Sequence, residues 1–312
     1  MSITGSSVPP SALTDDADRE LRVVPLRHPG RWVAAAILLV AFFGTIWSFA
    51  KNPNVGWHVV GHYLFNSLIL NGVVVTLYLT AIAMLIGVVG GTIMATMRLS
   101  PNPIVSSFAK FYIWFFRGTP ILIQIIFWGY FGAIYQTIKL GVPFTHITFV
   151  TMNSGSVMTP MLAAILSLGL NEIAYSAEIV RGGISGVSPG QTDAAYSLGL
   201  TPATTTRRII LPQAMRIIMP PMGNEFLTML KETALVSVIS GRDLMTATQQ
   251  IYSQTYQVIP LLVVASIWYL LMTSMLTIPQ RWLERRFGRA RATQMGTSGL
   301  RRMLLGAMGK RR

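Results

Sequence analysis

The chain has 312 residues, of which 52% are hydrophobic and only 12% are charged. Because a soluble domain usually carries about 25% charged residues, most of this chain is expected to lie in a lipid bilayer. The absence of cysteine excludes disulfides, thiol catalysis and cysteine-ligated metals. The net charge of +14 would suit nucleic acid, but the basic residues flank apolar stretches instead of forming a face interleaved with aromatic residues. Nucleic acid is therefore not expected as a partner.

Six apolar stretches predict an all-α membrane protein, because each is about as long as a helix that crosses a bilayer. They cover residues 31–50, 67–97, 111–135, 157–183, 213–240 and 257–279. With these spans, most Lys and Arg residues fall on one side, and only Lys51, Lys139 and Arg242 fall on the other. Since positive charge marks the cytoplasmic side, we expect a multi-pass protein of the cytoplasmic membrane with both termini in the cytoplasm.

The two ends of the chain differ from its middle in composition. Residues 1–30 are polar and predict a cytoplasmic tail, and residues 282–312 form a basic cytoplasmic tail that should attract anionic lipid head groups. Residues 31–50 form an extra first span, so the main transmembrane domain is expected at 51–281. Near its start, His58 and His62 are four residues apart, as metal ligands on a helix would be. No third ligand lies near them, so no metal site is predicted.

The second and third spans carry residues that shape helix packing. Gly87, Gly90 and Gly91 in the second span predict close approach of another helix. In the third span, Arg117, Gly118 and Pro120 predict a kink. Arg117 either faces protein or water or extends from the cytoplasmic end of the span to the interface, and the sequence does not decide between these.

Charged residues also occur inside the fourth and fifth spans. Glu172 should lie near mid-membrane with Tyr175 one turn further on, while Glu178 and Arg181 have the spacing of an ion pair. The fifth span is predicted to break at Pro220 and Pro221. Polar side chains follow on two sides of that helix, which places it at the centre of the bundle or along a path: Asn224, Glu225, Thr228, Lys231 and Glu232.

A polar segment, residues 188–212, separates these two spans and should lie on the cytoplasmic side. Ser188 is predicted to cap a helix, with Pro189 in the first helical position and Gln191 closing a capping box. That helix should end at Gly199, and Thr201 should cap a second one. Such a rigid surface element is typical of a docking site.

The same segment resembles the EAA loop of ABC importer permeases. Asp193-Ala194-Ala195, Gly199, Ile209 and Leu211-Pro212 follow the spacing of that loop, with Asp193 where glutamate is usual. Flanking blocks are similar to the permeases of polar amino acid importers: FRGTP at 116–120, AYSAEIVRGGI at 174–184, LPQAMRIIMPPMGNEF at 211–226 and LKETALVSVI at 230–239. The resemblance covers about residues 66–281.

The resemblance implies a type I importer fold with five core spans, here preceded by the extra first one. It also implies two permease subunits, of the same or related chains, an ATP-binding cassette ATPase dimer, and an extracytoplasmic protein that delivers an amino acid. The EAA loop would dock on the ATPase, through Gln191, Asp193, Ala194, Ala195, Gly199, Arg207 and Arg208. This chain has no phosphate-binding loop, so ATP and magnesium would bind to the partner ATPase, and the chain itself would have no catalytic residues.

An amino acid substrate needs a partner for each of its charges along the membrane path. The candidates are Arg117, Gln124, Glu172, Tyr175, Glu178, Asn224, Lys231 and Glu232. We expect Lys231 or Arg117 to attract the carboxylate, and Glu172, which has no local ion-pair partner, to attract the amino or cationic group. Alternatively, Lys231 and Glu232 form a structural ion-pair network with Glu178 and Arg181. A different class of function, a secondary transporter or channel, would use Glu172 and Lys231 as an ion relay.

Overall fold

The computed structural model describes residues 29–141 and 148–308, with side chains described for 30–139 and 148–287. The chain divides into two units, one ending at Pro53 and the other beginning at Asn54. The described part of the first unit is the helix α1, Pro29–Lys51, which agrees with the predicted first span. Its described side chains are all exposed. Near its end, the Lys51 ammonium lies 4.3 Å from the centre of the Trp47 ring.

The second unit is mainly helical. Its helices, in chain order, are α2 (Trp57–Tyr63), α3 (Ser67–Arg98), α4 (Pro103–Gly118), α5 (Ile121–Gly129), α6 (Phe131–Ile134), α7 (Ser154–Val157), α8 (Pro160–Ser185), α9 (Pro189–Ser197), α10 (Pro202–Thr205), α11 (Leu211–Glu232), α12 (Leu244–Thr255) and α13 (Val258–Met308). Between α6 and α7, β1 (Thr137–Gly141) pairs with β2 (Thr148–Asn153) in an antiparallel hairpin. The hairpin lies between the predicted third and fourth spans, and β-branched residues, which favour strands, are frequent in both of its segments.

The centre of the second unit is the packing of α3 against α8, and the predicted role of the glycines in α3 is confirmed. A Cβ atom on Gly91 would lie 2.5 Å from Cβ of Ser176 and 2.8 Å from the backbone nitrogen of Ala177. A Cβ atom on Gly90 would lie 2.5 Å from Cδ1 of the Ile173 side chain. Because no side chain separates the two helices there, their backbones approach closely.

The predicted kink in the third span is confirmed as a sharp break. The axes of α4 and α5 differ in direction by 95° on the two sides of Thr119 and Pro120. The helix also begins earlier than the predicted residue 111. The Asn102 side chain accepts hydrogen bonds from the backbone N–H groups of Ile104 and Val105, so this Asn caps α4 directly before Pro103.

Two expectations about proline are wrong. α11 continues through Pro220 and Pro221, and α13 continues through Pro279, where we expected the last span to end. A proline ring holds φ near the helical value and removes one N–H donor, so a helix can continue past it when the freed carbonyl groups are satisfied otherwise. The geometry of the fifth span changes later, where a 3-10 helix, Thr233–Ile239, follows α11.

In the part of the chain that the structure describes, four helices are long and apolar enough to cross a membrane: α1, α3, α8 and the first thirty residues of α13. The bent pair of α4 and α5 raises this number to five if it forms one span. α11 does not qualify, because Arg216, Asn224, Glu225, Lys231 and Glu232 lower its mean hydropathy. Six spans therefore stay a prediction.

Candidate functional site

The segment 188–212 has the two-helix form that the sequence predicts. Gly199 has a φ of 76° and separates α9 from α10, and the Thr201 hydroxyl accepts a hydrogen bond from the backbone N–H of Thr204. The predicted capping box is wrong, because the Ser188 side chain caps nothing. The Gln191 side chain instead accepts a hydrogen bond from the Gln213 amide, 3.3 Å away, which ties α9 to the start of α11.

The exposed side of this segment combines charged and apolar side chains. Asp193, Arg207 and Arg208 are exposed, and so are Tyr196 and Leu198, the latter at 80%. Ala194 is exposed as well, whereas Ala195 is buried. A five-residue π-helical turn, Thr206–Ile210, joins α10 to α11. Exposed charges beside large apolar side chains form a surface suited to another protein.

An ion cluster joins α3 to α8 at the end next to this segment. The predicted pair is confirmed, with 2.8 Å between a Glu178 oxygen and the Arg181 guanidinium. Arg98, the last residue of α3, pairs with the other oxygen of Glu178. Sequence reasoning missed Arg98, since it lies 80 positions from Glu178. Among the described side chains, no ion pair includes Lys231 or Glu232, so the alternative network between these two residues and Glu178 is not observed.

Glu172 lies between α8, α3 and α11. Its side chain is only 1% exposed, and a Cβ atom on Gly87 would lie 2.1 Å from its Cγ, so α3 covers it directly. The sequence offered no local ion-pair partner for it, and the partner in the structure is neutral: the Ser176 hydroxyl donates a 2.6 Å hydrogen bond to its carboxylate. The same hydroxyl lies 3.6 Å from the sulfur of Met222 on α11.

Arg117 is the charged residue at the broken span, and it packs against α8. Its guanidinium lies 5.2 Å from the centre of the Tyr175 ring, and both residues are exposed. Because Tyr175 lies one turn beyond Glu172, Arg117 contacts α8 one turn away from Glu172. The sequence left the surroundings of Arg117 open, and in this structure its guanidinium lies over an aromatic ring of α8.

Gln124 and Asn171 brace the break next to Arg117. The Gln124 amide nitrogen donates hydrogen bonds to the carbonyl oxygens of Phe116 and Thr119, at 3.0 and 3.1 Å. The Asn171 amide donates to the same Phe116 carbonyl at 3.1 Å. These bonds satisfy carbonyl groups that lose their helical partners at the break. Gln124, a predicted path residue, is buried and holds backbone in this structure. Asn171 was missed, because its partner is distant in sequence.

The predicted path residues of α11 differ in exposure. Asn224 and Lys231 are exposed, and Glu232 is half-buried. A cavity of about 510 Å³ lies nearby, between α3, α11 and α13, but none of these three residues lines it. Its lining is mainly apolar and includes Met84, Met222, Phe226 and Leu276. A charged amino acid would find no ionised partner in that lining. Among the described side chains, no group of three or more His, Cys, Asp or Glu residues could hold a metal ion.

Comparison with known proteins agrees with this architecture. Residues 87–289 match the family described as "Binding-protein-dependent transport system inner membrane component". The arginine transport system permease protein ArgU of Corynebacterium glutamicum is 45% identical over 271 residues, which cover 86% of this chain and 84% of that protein. The nopaline transport system permease protein NocM of Agrobacterium fabrum is 38% identical over 205 residues, covering 66% of this chain and 81% of that protein.

Solved structures show the same fold. The crystal structure of an amino acid ABC transporter with histidines matches with a TM-score of 0.60 and 37% identity, over 71% of this chain and 95% of that one. An inward-facing methionine ABC transporter, MetNI, matches with a TM-score of 0.51 at 19% identity, over 69% of this chain and 96% of that one, and it supports the fold alone. The expected type I importer fold is thus confirmed, and a secondary transporter or channel is not favoured. The chain belongs to the inner membrane components of binding-protein-dependent transport systems, the permeases of ABC importers.

Proposed function

We propose that this permease moves a polar amino acid into the cell, with energy from ATP hydrolysis on a separate subunit. The observation that carries the proposal is that an acidic and a basic side chain lie at successive turns of α8: the buried Glu172 side chain of α8 itself, and the Arg117 guanidinium of α4 over the Tyr175 ring. A zwitterion needs a partner for each charge inside a membrane. Arg117 would receive the α-carboxylate, and Glu172 the amino group or a cationic side chain. The names of the relatives, permeases for arginine and nopaline among them, support this substrate class.

The burial of Glu172 implies that the substrate meets it in another state of the transport cycle. Gly87 of α3 covers it on one side, and Met222 of α11 lies beyond Ser176. Small changes in the packing of α3, α8 and α11 would uncover the carboxylate, as alternating access requires. We therefore expect the state described here not to hold the substrate at Glu172.

The segment 188–212, hereafter the coupling segment, would dock on an ATP-binding cassette ATPase dimer that binds ATP and magnesium. Its exposed charges, Asp193, Arg207 and Arg208, are suited to such a contact. A second permease subunit, of this chain or a related one, and an extracytoplasmic substrate-binding protein would complete the complex. In this arrangement both termini lie in the cytoplasm. The coupling segment joins α8 directly to α11, so movement of the ATPases would reach the helices around Glu172.

The substrate is tested with the complete complex in proteoliposomes, by measuring uptake and ATPase stimulation across a panel of amino acids with the cognate binding protein. Glu172→Gln should reduce uptake roughly tenfold or more and lower the preference for cationic amino acids. Glu284→Gln, which removes a half-buried carboxylate from α13, is the matched control and should leave preference unchanged. Unchanged preference in Glu172→Gln would refute the role of Glu172, and a complex that no amino acid stimulates would refute the proposed function.

Coupling is tested by two substitutions on the coupling segment. Asp193→Lys should weaken the ATPase contact, and Gly199→Val should strain the positive φ that separates α9 from α10. Both should lower the amount of amino acid transported per ATP hydrolysed, while the membrane helices remain folded. Ser188→Ala is the control, since its side chain caps nothing. Normal transport per ATP in both variants would contradict this role.

A further inference from the structure

A second cavity, about 470 Å³, lies at the other end of α3, far from the coupling segment. It is bounded by the first turns of α3, by the turn before α12 and by α12 itself, through Leu68, Asn71, Gly72, Val74, Val75, Arg242, Ala247 and Gln250. From Asn71 to Arg98 at the other end, α3 rises about 40 Å at 1.5 Å per residue, which is about the thickness of a bilayer. If the coupling segment is cytoplasmic, this cavity faces the extracytoplasmic side.

The turn that carries Arg242 is firmly attached to α3. The backbone N–H of Leu244 donates a 3.0 Å hydrogen bond to the buried Thr76 hydroxyl. A Cβ atom on Gly72 would lie 2.8 Å from Cα of Leu244, so the two backbones touch without a side chain between them. Arg242 is thus presented by a fixed scaffold, which a preorganised binding site needs.

Arg242 itself has an unfavourable backbone conformation, with φ at 64°. A left-handed conformation is costly for a residue with a side chain, and a glycine would adopt it freely. Such a residue at a fixed turn suggests that its side chain serves another purpose. The guanidinium is exposed, and it forms no ion pair within the part of the chain whose side chains are described.

The neighbouring carboxylate does not neutralise Arg242. Asp243 is fully buried and turned into the protein, where it accepts hydrogen bonds from the backbone N–H groups of Met245 and Thr246 and from the Thr246 hydroxyl. Burial raises the pKa of the Asp243 carboxyl, and these hydrogen bonds oppose part of that shift. The carboxylate is therefore used to cap α12, and the positive charge of Arg242 remains available.

The other polar side chains of the cavity complement a carboxylate. Asn71 and Gln250 line the same cavity, are exposed and offer amide N–H donors, and the lining contains no acidic residue. A free zwitterionic amino acid would find no carboxylate there for its ammonium group. An acidic side chain of a protein brings only the negative charge, so it fits this set of donors better.

We propose that this cavity, with Arg242 at its mouth, receives an Asp or Glu side chain of the extracytoplasmic substrate-binding protein and so helps to dock it. The inference rests on the proposed function, because it needs that partner. The binding protein would be held at the end of α3 opposite to the ATPases. Arg242 would change the affinity of docking and its salt dependence, and it would leave the maximal rate of the docked complex unchanged.

The test measures ATPase stimulation of the complete complex in proteoliposomes as a function of the concentration of the substrate-loaded cognate binding protein. Arg242→Glu should raise the concentration for half-maximal stimulation roughly tenfold or more, with the maximal rate unchanged. Lys139→Glu is the matched control, because it reverses an exposed charge on β1, outside the cavity. An Asp or Glu to Lys change on the binding protein that restores docking of Arg242→Glu would identify the partner carboxylate.

Three results would overturn the inference. Arg242→Glu and Lys139→Glu could raise the concentration for half-maximal stimulation equally, which would show that any exposed positive charge contributes to docking and that the cavity has no special role. Arg242→Glu could weaken binding of free L-arginine to the complex without changing docking, which would make the substrate itself the ligand. Arg242→Gly could lower the melting temperature while docking stays normal, which would make Arg242 structural. We expect instead a melting temperature that is equal or higher, together with weaker docking. Failure of the unmodified complex to respond to any amino acid would refute the proposed function and not the cavity.

Discussion

Two arginines at opposite ends of α3 are treated differently by this fold. Arg98, the last residue of α3, is half-buried and pairs with Glu178, which also binds Arg181. Arg242, beside the first turns of α3, is exposed, adopts a left-handed backbone conformation and has no ion-pair partner among the described side chains. The first arginine is held by its own chain, and the second is presented outwards.

The difference separates charges that build the permease from charges that serve a partner. A half-buried ion cluster joins α3 to α8 next to the coupling segment. An exposed cation on a fixed turn contributes little to stability, because its charge is solvated. Substitutions at the two ends should therefore differ in their effect on folding and on partner binding.

The largest loss of stability is expected from disturbing the close contact of α3 with α8 at Gly91. Gly91→Val should lower stability by about 3 kcal/mol or more, because even its Cβ atom would overlap Ser176 and the backbone of Ala177, which cannot move aside. The measurement is the thermal unfolding midpoint and the yield of assembled complex. Gly182→Val is the control, since nothing lies within 4 Å of its added Cβ atom. Equal effects of the two variants would contradict the close contact of α3 with α8.

The second largest loss of stability is expected at Glu178, whose carboxylate pairs with Arg98. Glu178→Gln should cost about 2 kcal/mol, because it leaves two half-buried guanidinium groups without their counter-charge. We expect the loss in thermal stability to be accompanied by weaker coupling of ATPase activity to transport. Glu284→Gln should cost less, because that carboxylate accepts one hydrogen bond, from Gln280. A Glu178→Gln variant as stable as the unmodified complex would show that the cluster does not hold α3 to α8.

Features that depend on neighbours in sequence were predicted from the sequence. The positive φ of Gly199, the cap at Thr201 and the break near Pro120 each follow from the steric or hydrogen-bonding properties of one or two residues. The spacing of Glu178 and Arg181 likewise fixed their pairing, because residues three apart meet on a helix. The resemblance of the coupling segment to the EAA loop added the family.

Features that depend on distant residues were not predictable in this way. The side chain of Asn171 meets the carbonyl of Phe116 only after α4 and α8 have packed together, and Arg98 reaches Glu178 for the same reason. Ser188 has the residue type of a cap, but its side chain makes no capping bond. A residue type that suits a helix cap therefore allows a capping hydrogen bond, but the packing of the surrounding residues decides whether that bond forms.

A smaller effect is expected from removing one of the two cations that Glu178 binds. Arg98→Gln should cost about 1 kcal/mol, because Glu178 keeps its pair with Arg181. The double variant Arg98→Gln with Glu178→Gln should be little less stable than Glu178→Gln alone, because the two residues act as one unit. Thermal unfolding of the three variants gives this comparison. Additive losses would show that Arg98 and Glu178 stabilise the fold independently.

The smallest effect on stability is expected at the other end of α3. Arg242→Gln should change it by less than about 0.5 kcal/mol, because an exposed side chain without an ion pair loses no contact. The same variant should reduce the salt dependence of stimulation by the binding protein, because the cation that attracts an acidic surface is gone. Thermal unfolding and a salt series on one preparation measure both quantities. A stability loss as large as that of Arg98→Gln would remove the distinction between the two arginines, since Arg242 would then also be held by its own chain.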